Sequence, residues 1–124
     1  MTTDPDTMVT EFCQLWSTPN LDEIVDYFTE DAVYHNIPMQ AADGRAAIRE
    51  FIADFLAAAD GIDFMVHRQV AQGDLVMNER TDVMRLKNGR EVALPVMGTF
   101  EIRDGRIAAW RDYFDMAMVT AVFA

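Results

Sequence analysis

A single cysteine among 124 residues excludes an intramolecular disulfide and any thiolate zinc cluster, so Cys13 supplies neither a staple nor a metal site. Basic residues are scarce too: 10 Lys+Arg stand against 21 Asp+Glu, a formal net charge of −11. Nucleic acid and anionic lipid heads are held chiefly through clustered basic side chains, so this deficit argues against both as partners. No apolar run approaches the ~18 residues needed to span a bilayer. The start, Met1-Thr2-Thr3-Asp4-Pro5-Asp6, lacks the basic-then-apolar pattern of a signal peptide. Repeats, linkers and low-complexity tracts are missing, as are a phosphate loop, a dinucleotide fingerprint and a Ser/His/Asp elbow. What is present is 51% hydrophobic residues in a length that suits one domain, residues 1–124, with a sizeable core. The expectation is a small, acidic, soluble, cytoplasmic domain. The question is whether the acids are only a solvating coat or include working groups.

The first half predicts helices. Val9, Phe12, Cys13 and Trp16 recur at the i, i+3, i+4, i+7 spacing of one buried helical face, and Leu21, Ile24, Val25 and Phe28 repeat it. Asn20 precedes the second stripe with Glu23 three positions on, a variant capping box. Ile48, Phe51, Ile52, Phe55, Leu56 and Ala59 form a third stripe, and Gly61 is the expected C-terminal stop. Between the second and third helices, Ala32-Val33-Tyr34-His35-Asn36-Ile37 is a short β-rich stretch closed by Pro38.

The second half predicts strands. Gly73-Asp74, Asn88-Gly89 and Asp104-Gly105 are hairpin turns that divide the chain into segments 62–72, 75–87, 90–103 and 106–116. Tight hairpins in series imply an antiparallel meander, and strands this long twist and bend. Three N-terminal helices then pack on the concave face of a curved, mixed but mostly antiparallel sheet. The fold class is α+β, a cone whose deep interior is the natural ligand pocket.

The informative feature is polarity in the wrong place. One face of the strand 75–87 reads Val76, Asn78, Arg80, Asp82, Met84, Leu86, apolar at its ends and charged in its middle. One face of the last strand reads Ala108, Trp110, Asp112, Phe114, Met116, with Asp112 its only charge. Two-residue loops at Asn88-Gly89 and Asp104-Gly105 would place Arg80 and Asp112 both opposite Met97, flanking one central strand. Their backbones would lie roughly 10 Å apart, a gap an arginine fork largely spans. Pro95 signals a bulge that would slide this register by one residue.

An Arg-x-Asp pair on a strand is more often a surface or structural ion pair, and an Asp between Trp110 and Phe114 equally suits a satisfied core acid. Buried charge is costly unless paired, so Arg80, Asp82 and Asp112 should pair with one another. One guanidinium between two carboxylates becomes neutral on taking up one proton. A low-dielectric pocket favours that state, which leaves a carboxylic acid beside a carboxylate near neutral pH, a general acid beside a general base. Tyr34 and Asn36 share a face of the short strand and could hold a water, although each alone reads as a hydrogen-bonding edge residue. His35 and His67 stand at no metal-ligand spacing, and Cys13 lies on an apolar stripe as inert core. The nine methionines suit an adaptable apolar cavity or ordinary packing alike.

Four segments together resemble limonene-1,2-epoxide hydrolases, within the cone-shaped superfamily that also holds nuclear transport factor 2, ketosteroid isomerase and SnoaL-like proteins. They are Tyr34-His35-Asn36-Ile37-Pro38, Glu79-Arg80-Thr81-Asp82-Val83-Met84-Arg85, Leu94-Pro95-Val96-Met97-Gly98-Thr99-Phe100 and Trp110-Arg111-Asp112-Tyr113-Phe114-Asp115. The resemblance extends over nearly the whole chain. It implies Asp82 as the acid that protonates an epoxide oxygen and Asp112 as the base that deprotonates water. Tyr34 and Asn36 would fix that water, and Arg80 would bridge the aspartates and help return the proton. It also implies no covalent ester intermediate, no metal or organic cofactor, and a homodimer. The resemblance points Leu94 and Val96 into the pocket, whereas the two-residue register points Pro95 and Met97 there; a bulge near Pro95 would reconcile them.

The expected activity is therefore epoxide opening to a vicinal diol, on a small apolar, cyclic or terpene-like substrate. The expected pocket lining is Met84, Leu94, Val96, Trp110 and Phe114. Two rivals stand beside this: an isomerase or cyclase on the same cone, which attacks no water, and a non-catalytic binding module whose charges only close the cavity. A complete Tyr/Asn/Arg/Asp/Asp set favours hydrolysis, because a dedicated water site has no use in either rival.

Overall fold

The computed structural model describes residues 4–123. Residues 1–3 and 124 lie outside the described residues, and with them part of the amino-terminal stretch read above and the outermost ends of the expected domain. Helix α1 (Pro5–Leu15) starts where Asp4 accepts a hydrogen bond from the Thr7 backbone N–H at 2.9 Å, with Pro5 at the first helical position. Its Met8, Val9, Phe12 and Cys13 are buried, the stripe the spacing predicts. Helix α2 (Leu21–Asp26) is capped by Asn20, whose side chain accepts from Glu23 N at 3.1 Å. Strands β1 (Phe28–Asn36) and β2 (Ala42–Asp43) follow, then helix α3 (Arg45–Ala58).

Four long strands come next: β3 (Ala59–Gln72), β4 (Leu75–Leu86), β5 (Glu91–Arg103) and β6 (Arg106–Tyr113), ending in helix α4 (Met116–Phe123). The sheet order is β2-β1-β6-β5-β4-β3. Among the described strands only β1 and β6 pair in parallel. This is the α+β arrangement of a curved six-stranded sheet with helices on one face.

The core fills the space under α1–α3. Phe12 sits at its centre, with ring centroids 5.2 Å from both Tyr27 and Trp110 and 5.7 Å from Phe28. Edge-on and tilted aromatic contacts of this kind favour one fixed arrangement over a merely greasy one. Trp110 in turn lies flat between Tyr34, 4.2 Å away at 9°, and Phe100, 5.2 Å away at 20°. That stack ties β1, β6 and β5 together directly beneath the charged residues.

Four expectations need correction. Gly61 does not stop α3: the helix ends at Ala58, Ala59 is already extended, and Gly61 lies in β3. A Cβ there would stand 2.8 Å from Ser17 O and 2.9 Å from Trp16 O, so the glycine admits the α1–α2 connection to the strand. The Asn88-Gly89 loop has three residues, with Gly89 at φ +89 and Leu86 N donating to Arg90 O at 2.9 Å. A turn closed by a left-handed glycine absorbs one residue more than a two-residue hairpin. The β4/β5 register therefore slides by one, placing Arg80 opposite Val96, and it runs unbroken past Pro95 with no bulge there. Finally, the last strand stops at Tyr113, because Asp115 accepts from Ala117 N at 2.9 Å and opens α4.

Candidate active site

The polar residues of the concave face form a row across the sheet. Asn36 on β1, Asp112 on β6, Gly98 on β5, Asn78 on β4 and Gln69 on β3 are successive Cα partners. Asp104-Gly105 is the expected two-residue turn, pairing Arg103 with Arg106, but a bulge between Glu101 and Ile102 shifts the rest of β6 by one. Asp112 thus faces Gly98 rather than Met97. The two shifts run in opposite directions along β5, but each is by one residue, so Arg80 opposite Val96 and Asp112 opposite Gly98 still flank β5 on its inner face, while Pro95 and Met97 face outward and are exposed.

Arg80 is the hub, its side chain fully buried. Nε donates to Asp82 Oδ1 at 2.7 Å and Nη2 to Asp82 Oδ2 at 3.2 Å. Nη2 also donates to Asp112 Oδ2 at 2.5 Å, and Nη1 to Asn78 Oδ1 at 2.9 Å. The Phe64 ring lies 4.6 Å from Cζ, adding a cation–π contact. Asp112 accepts a further bond from Trp110 Nε1 at 2.7 Å. Gly98 makes this possible: a Cβ there would lie 2.7 Å from Asp112 Oδ1 and closer still to Arg80 Nη1.

Burial disfavours charge on Arg80, yet Asp112 and Asp82 outweigh it and hold the guanidinium protonated above its ordinary range. Burial likewise pushes Asp82 up to about 6, against the pull of Arg80. Asp112 is also raised, again by burial first, with Arg80 and Trp110 opposing. Two carboxyls with raised pKa values sharing one cation hold a proton between them more tightly than free aspartates would.

The cluster forms the floor of a cavity of about 450 Å³, large enough for a compact organic ligand. Tyr34, Asn36, Asp82 and Asp112 border it. Burial and the Asp112 charge hold the Tyr34 hydroxyl neutral, well above its usual range. Apart from the exposed Asp54 the walls are apolar: Met84, Leu94, Val96 and Phe114, all expected, plus Phe51, Phe55 and Phe64.

Trp110 does not line the cavity, contrary to expectation. It is completely buried behind the floor, where its ring packs under Tyr34 and its indole N–H holds Asp112. Arg80 also lies behind its two aspartates and off the cavity wall. His35 meets Met39 O at 2.9 Å and His67 meets Thr81 Oγ1 at 2.8 Å, both outside the cluster. Burial pushes the Cys13 thiol up to about 12, so it stays protonated and unreactive. Among the described residues no three His, Cys, Asp or Glu side chains converge as metal ligands, and no helix is long and apolar enough to cross a membrane.

Three contributors escaped sequence reasoning: Asn78, Gly98 and Phe64. Asn78 stands on the same strand face as Arg80 and Asp82, which is the only signal it leaves.

Residues 9–110 match the SnoaL-like domain family. Over 108 residues the chain is 32% identical to the epoxide hydrolase EphG of Mycobacterium tuberculosis, spanning 87% of this chain and 71% of that protein. The solved structure of an M. tuberculosis LEH-like epoxide hydrolase superposes with a TM-score of 0.83 at 28% identity, over 96% of this chain and 89% of the other. The epoxide hydrolase/cyclase-like enzyme SalBIII, of pyran ring formation in the polyether salinomycin, superposes with a TM-score of 0.81 over 91% of this chain and 92% of its own. At 22% identity that second likeness is one of fold.

Proposed function

The chain belongs to the SnoaL-like domain family and is homologous to epoxide hydrolases, and from that premise we propose that it adds water to a small apolar epoxide in one step, giving a vicinal diol. The observation that carries this reading is Arg80 bridging two buried aspartates at the floor of an apolar cavity. In the proposed step Asp82 gives its proton to the epoxide oxygen as the C–O bond breaks. A water held by Tyr34 and Asn36 forms the new C–O bond and loses its proton to Asp112. The proton then returns from Asp112 to Asp82 by way of the Arg80 bridge or solvent, restoring the pair.

The assignment of acid and base is supported by what each carboxyl accepts. Trp110 Nε1 donates to Asp112 and not to Asp82, and an indole donor favours the ionised form of the oxygen it meets. Asn36 is the Cα partner of Asp112 across β1 and β6, so a water on Asn36 lies beside the base. Proton transfers of this kind contribute about 10²–10⁴-fold each, and epoxide ring strain supplies driving force for the rest. Met84, Leu94, Val96 and Phe114 suit a cyclic or terpene-like skeleton.

A homodimer is part of the proposal. On the outer face of the sheet Val70, Met77, Met97 and Tyr113 are exposed on neighbouring strands, an apolar surface a second copy would cover.

The test is single-turnover reaction with cyclohexene oxide in ¹⁸O-water. Direct attack by water puts the label in the diol on the first turnover and none in the protein, and Asp82→Asn and Asp112→Asn both lose turnover. Label in the protein would refute the one-step reading, and a parent that opens no epoxide in a broad panel would refute the activity.

A further inference from the structure

The proposed chemistry uses the two aspartates that Arg80 grips, but a third side of the guanidinium is held by a residue that reaches neither substrate nor water. Arg80 Nη1 donates to Asn78 Oδ1 at 2.9 Å. Asn78 is 2% exposed and does not border the cavity. An asparagine amide can present either its oxygen or its NH₂, and the NH₂ end would set donor against donor at Arg80. The choice is dictated from the opposite side. Asn78 Nδ2 donates to Gln69 Oε1 at 3.0 Å and lies 4.0 Å from Cys13 Sγ.

Gln69 is itself oriented. Its Nε2 donates to Asp6 Oδ1 at 2.7 Å, and to Asp6 O and Thr10 Oγ1, both at 3.1 Å. Donor and acceptor ends therefore run in one direction from the first turns of α1, through Gln69 and Asn78, to Arg80. Asn78 and Gln69 are also direct Cα partners on β4 and β3, so the backbone pairing fixes their separation.

We propose that Asn78 is a positioning residue of the acid/base pair, acting through Arg80 and oriented by Gln69; the inference rests on the hydrolytic reading above. Arg80 Nη2 contacts both aspartates, at 3.2 and 2.5 Å, and that bridge needs the guanidinium held in one plane. Gly98 beneath it offers no side chain to do so. Asn78 Oδ1 supplies the missing anchor without a charge, whereas a third carboxylate would draw a further proton into a cluster that one proton already neutralises.

The test follows Arg80 by ¹⁵N NMR, in which a held guanidinium shows separate Nη1 and Nη2 resonances and a rotating one an averaged signal. The parent shows separate resonances. Asn78→Ala averages them and lowers kcat for epoxide opening roughly tenfold to hundredfold with little change in KM. Asn78→Asp keeps an oxygen in place and restores the separate resonances. Gln69→Ala, on a half-buried side chain, averages them without touching Arg80, and it carries the test should Asn78→Ala not fold. Unaltered Arg80 resonances in a folded Asn78→Ala, or in Gln69→Ala, would overturn the proposal, as would averaging in Asn78→Asp equal to that in Asn78→Ala. Should the parent open no epoxide, the hydrolytic reading fails on kinetics while the resonances still decide the role of Asn78.

Discussion

Gly98 and Asp112 are direct partners across β5 and β6, and the hydrogen that Gly98 carries in place of a side chain is what lets the Asp112 carboxylate meet Arg80. The space a methyl group would fill is already taken by Arg80 Nη1, by Asp112 Oδ1 and, at 3.2 Å, by Asn78 Oδ1. Gly98 does not adopt a positive φ, so the requirement is for room and not for backbone freedom.

Gly98→Ala is expected to break the bridge while keeping the fold. Atoms in a packed interior cannot yield the needed distance cheaply, and overpacking costs about 1–3 kcal/mol. The displaced pair is Arg80 and Asp112, so kcat should fall by about 10² or more. Denaturant midpoint and steady-state kinetics together check this. A variant with unchanged kcat would show that the Arg80–Asp112 contact is not needed.

The pH dependence of stability has a definite sign. Asp82 rises from 3.8 to about 6 in the folded chain, because burial penalises its carboxylate. Folding therefore binds a proton there, and the associated stability is fully present below about 3.8 and is lost as pH climbs through about 6. Asp82→Asn removes that dependence. Between pH 4 and 7 the variant should gain on the parent by something on the order of 2–3 kcal/mol, read from denaturant curves at each pH. A stability difference that stays flat across the window would mean that Asp82 titrates as an ordinary carboxyl. In the same window, activity should decline as pH rises above about 6 and the proposed acid loses its proton.

How much of this was readable from residues alone depends on what each residue had to signal. Helical stripes are long-range repeats of a burial requirement, so α1, α2 and α3 follow from Val9, Phe12, Ile24, Ile48 and Ile52 with only their ends in error. A charge on an apolar strand face violates burial, and so Arg80, Asp82 and Asp112 stood out. Register did not: it hangs on whether Gly89 closes a loop of two residues or three, and the same dipeptide serves both. Alternation also says which face a side chain takes but not how deep it lies, which is why Trp110 reads as a wall and proves to be a support under the floor. Asn78 and Gly98 are silent for a related reason. An uncharged amide and a missing side chain break no burial rule, and their value exists only relative to the guanidinium between them.

Trp110→Phe separates that support into its parts. The ring stack on Tyr34 and Phe100 survives, while the donor to Asp112 Oδ1 is lost. Since that bond lowers the Asp112 pKa, its removal should raise the proton affinity of the base. The acid limb of the kcat profile then moves to higher pH, and kcat at neutral pH falls roughly tenfold, the ordinary worth of a hydrogen bond to a charged group. The smaller ring leaves a void costing about 1–3 kcal/mol, visible in thermal unfolding. An unshifted acid limb would leave Trp110 a packing residue only.

The charges around the cavity predict which epoxides are refused. Asp82 and Asp112 border it but are balanced by Arg80 and one shared proton, so Asp54 is the uncompensated acid among the lining residues. An anionic group on the substrate would meet the Asp54 carboxylate, with no cationic side chain among the lining residues to offset it. At an effective dielectric of about 20, one unpaired carboxylate at about 8 Å opposes another by about 2 kcal/mol, roughly a thirtyfold loss in binding. A terpene-like epoxide should therefore exceed its carboxylate-bearing analogue in kcat/KM by about that factor. Asp54 is exposed at the cavity wall, so its share is screened by salt and the ratio should narrow as ionic strength rises. Asp54→Asn should narrow it as well, by the part Asp54 contributes. Equal rates for the neutral and anionic substrates at low salt would show that the ligand's polar end sits outside the field of Asp54, and a preference for the anion would place a cation at the mouth that is not among the described lining residues.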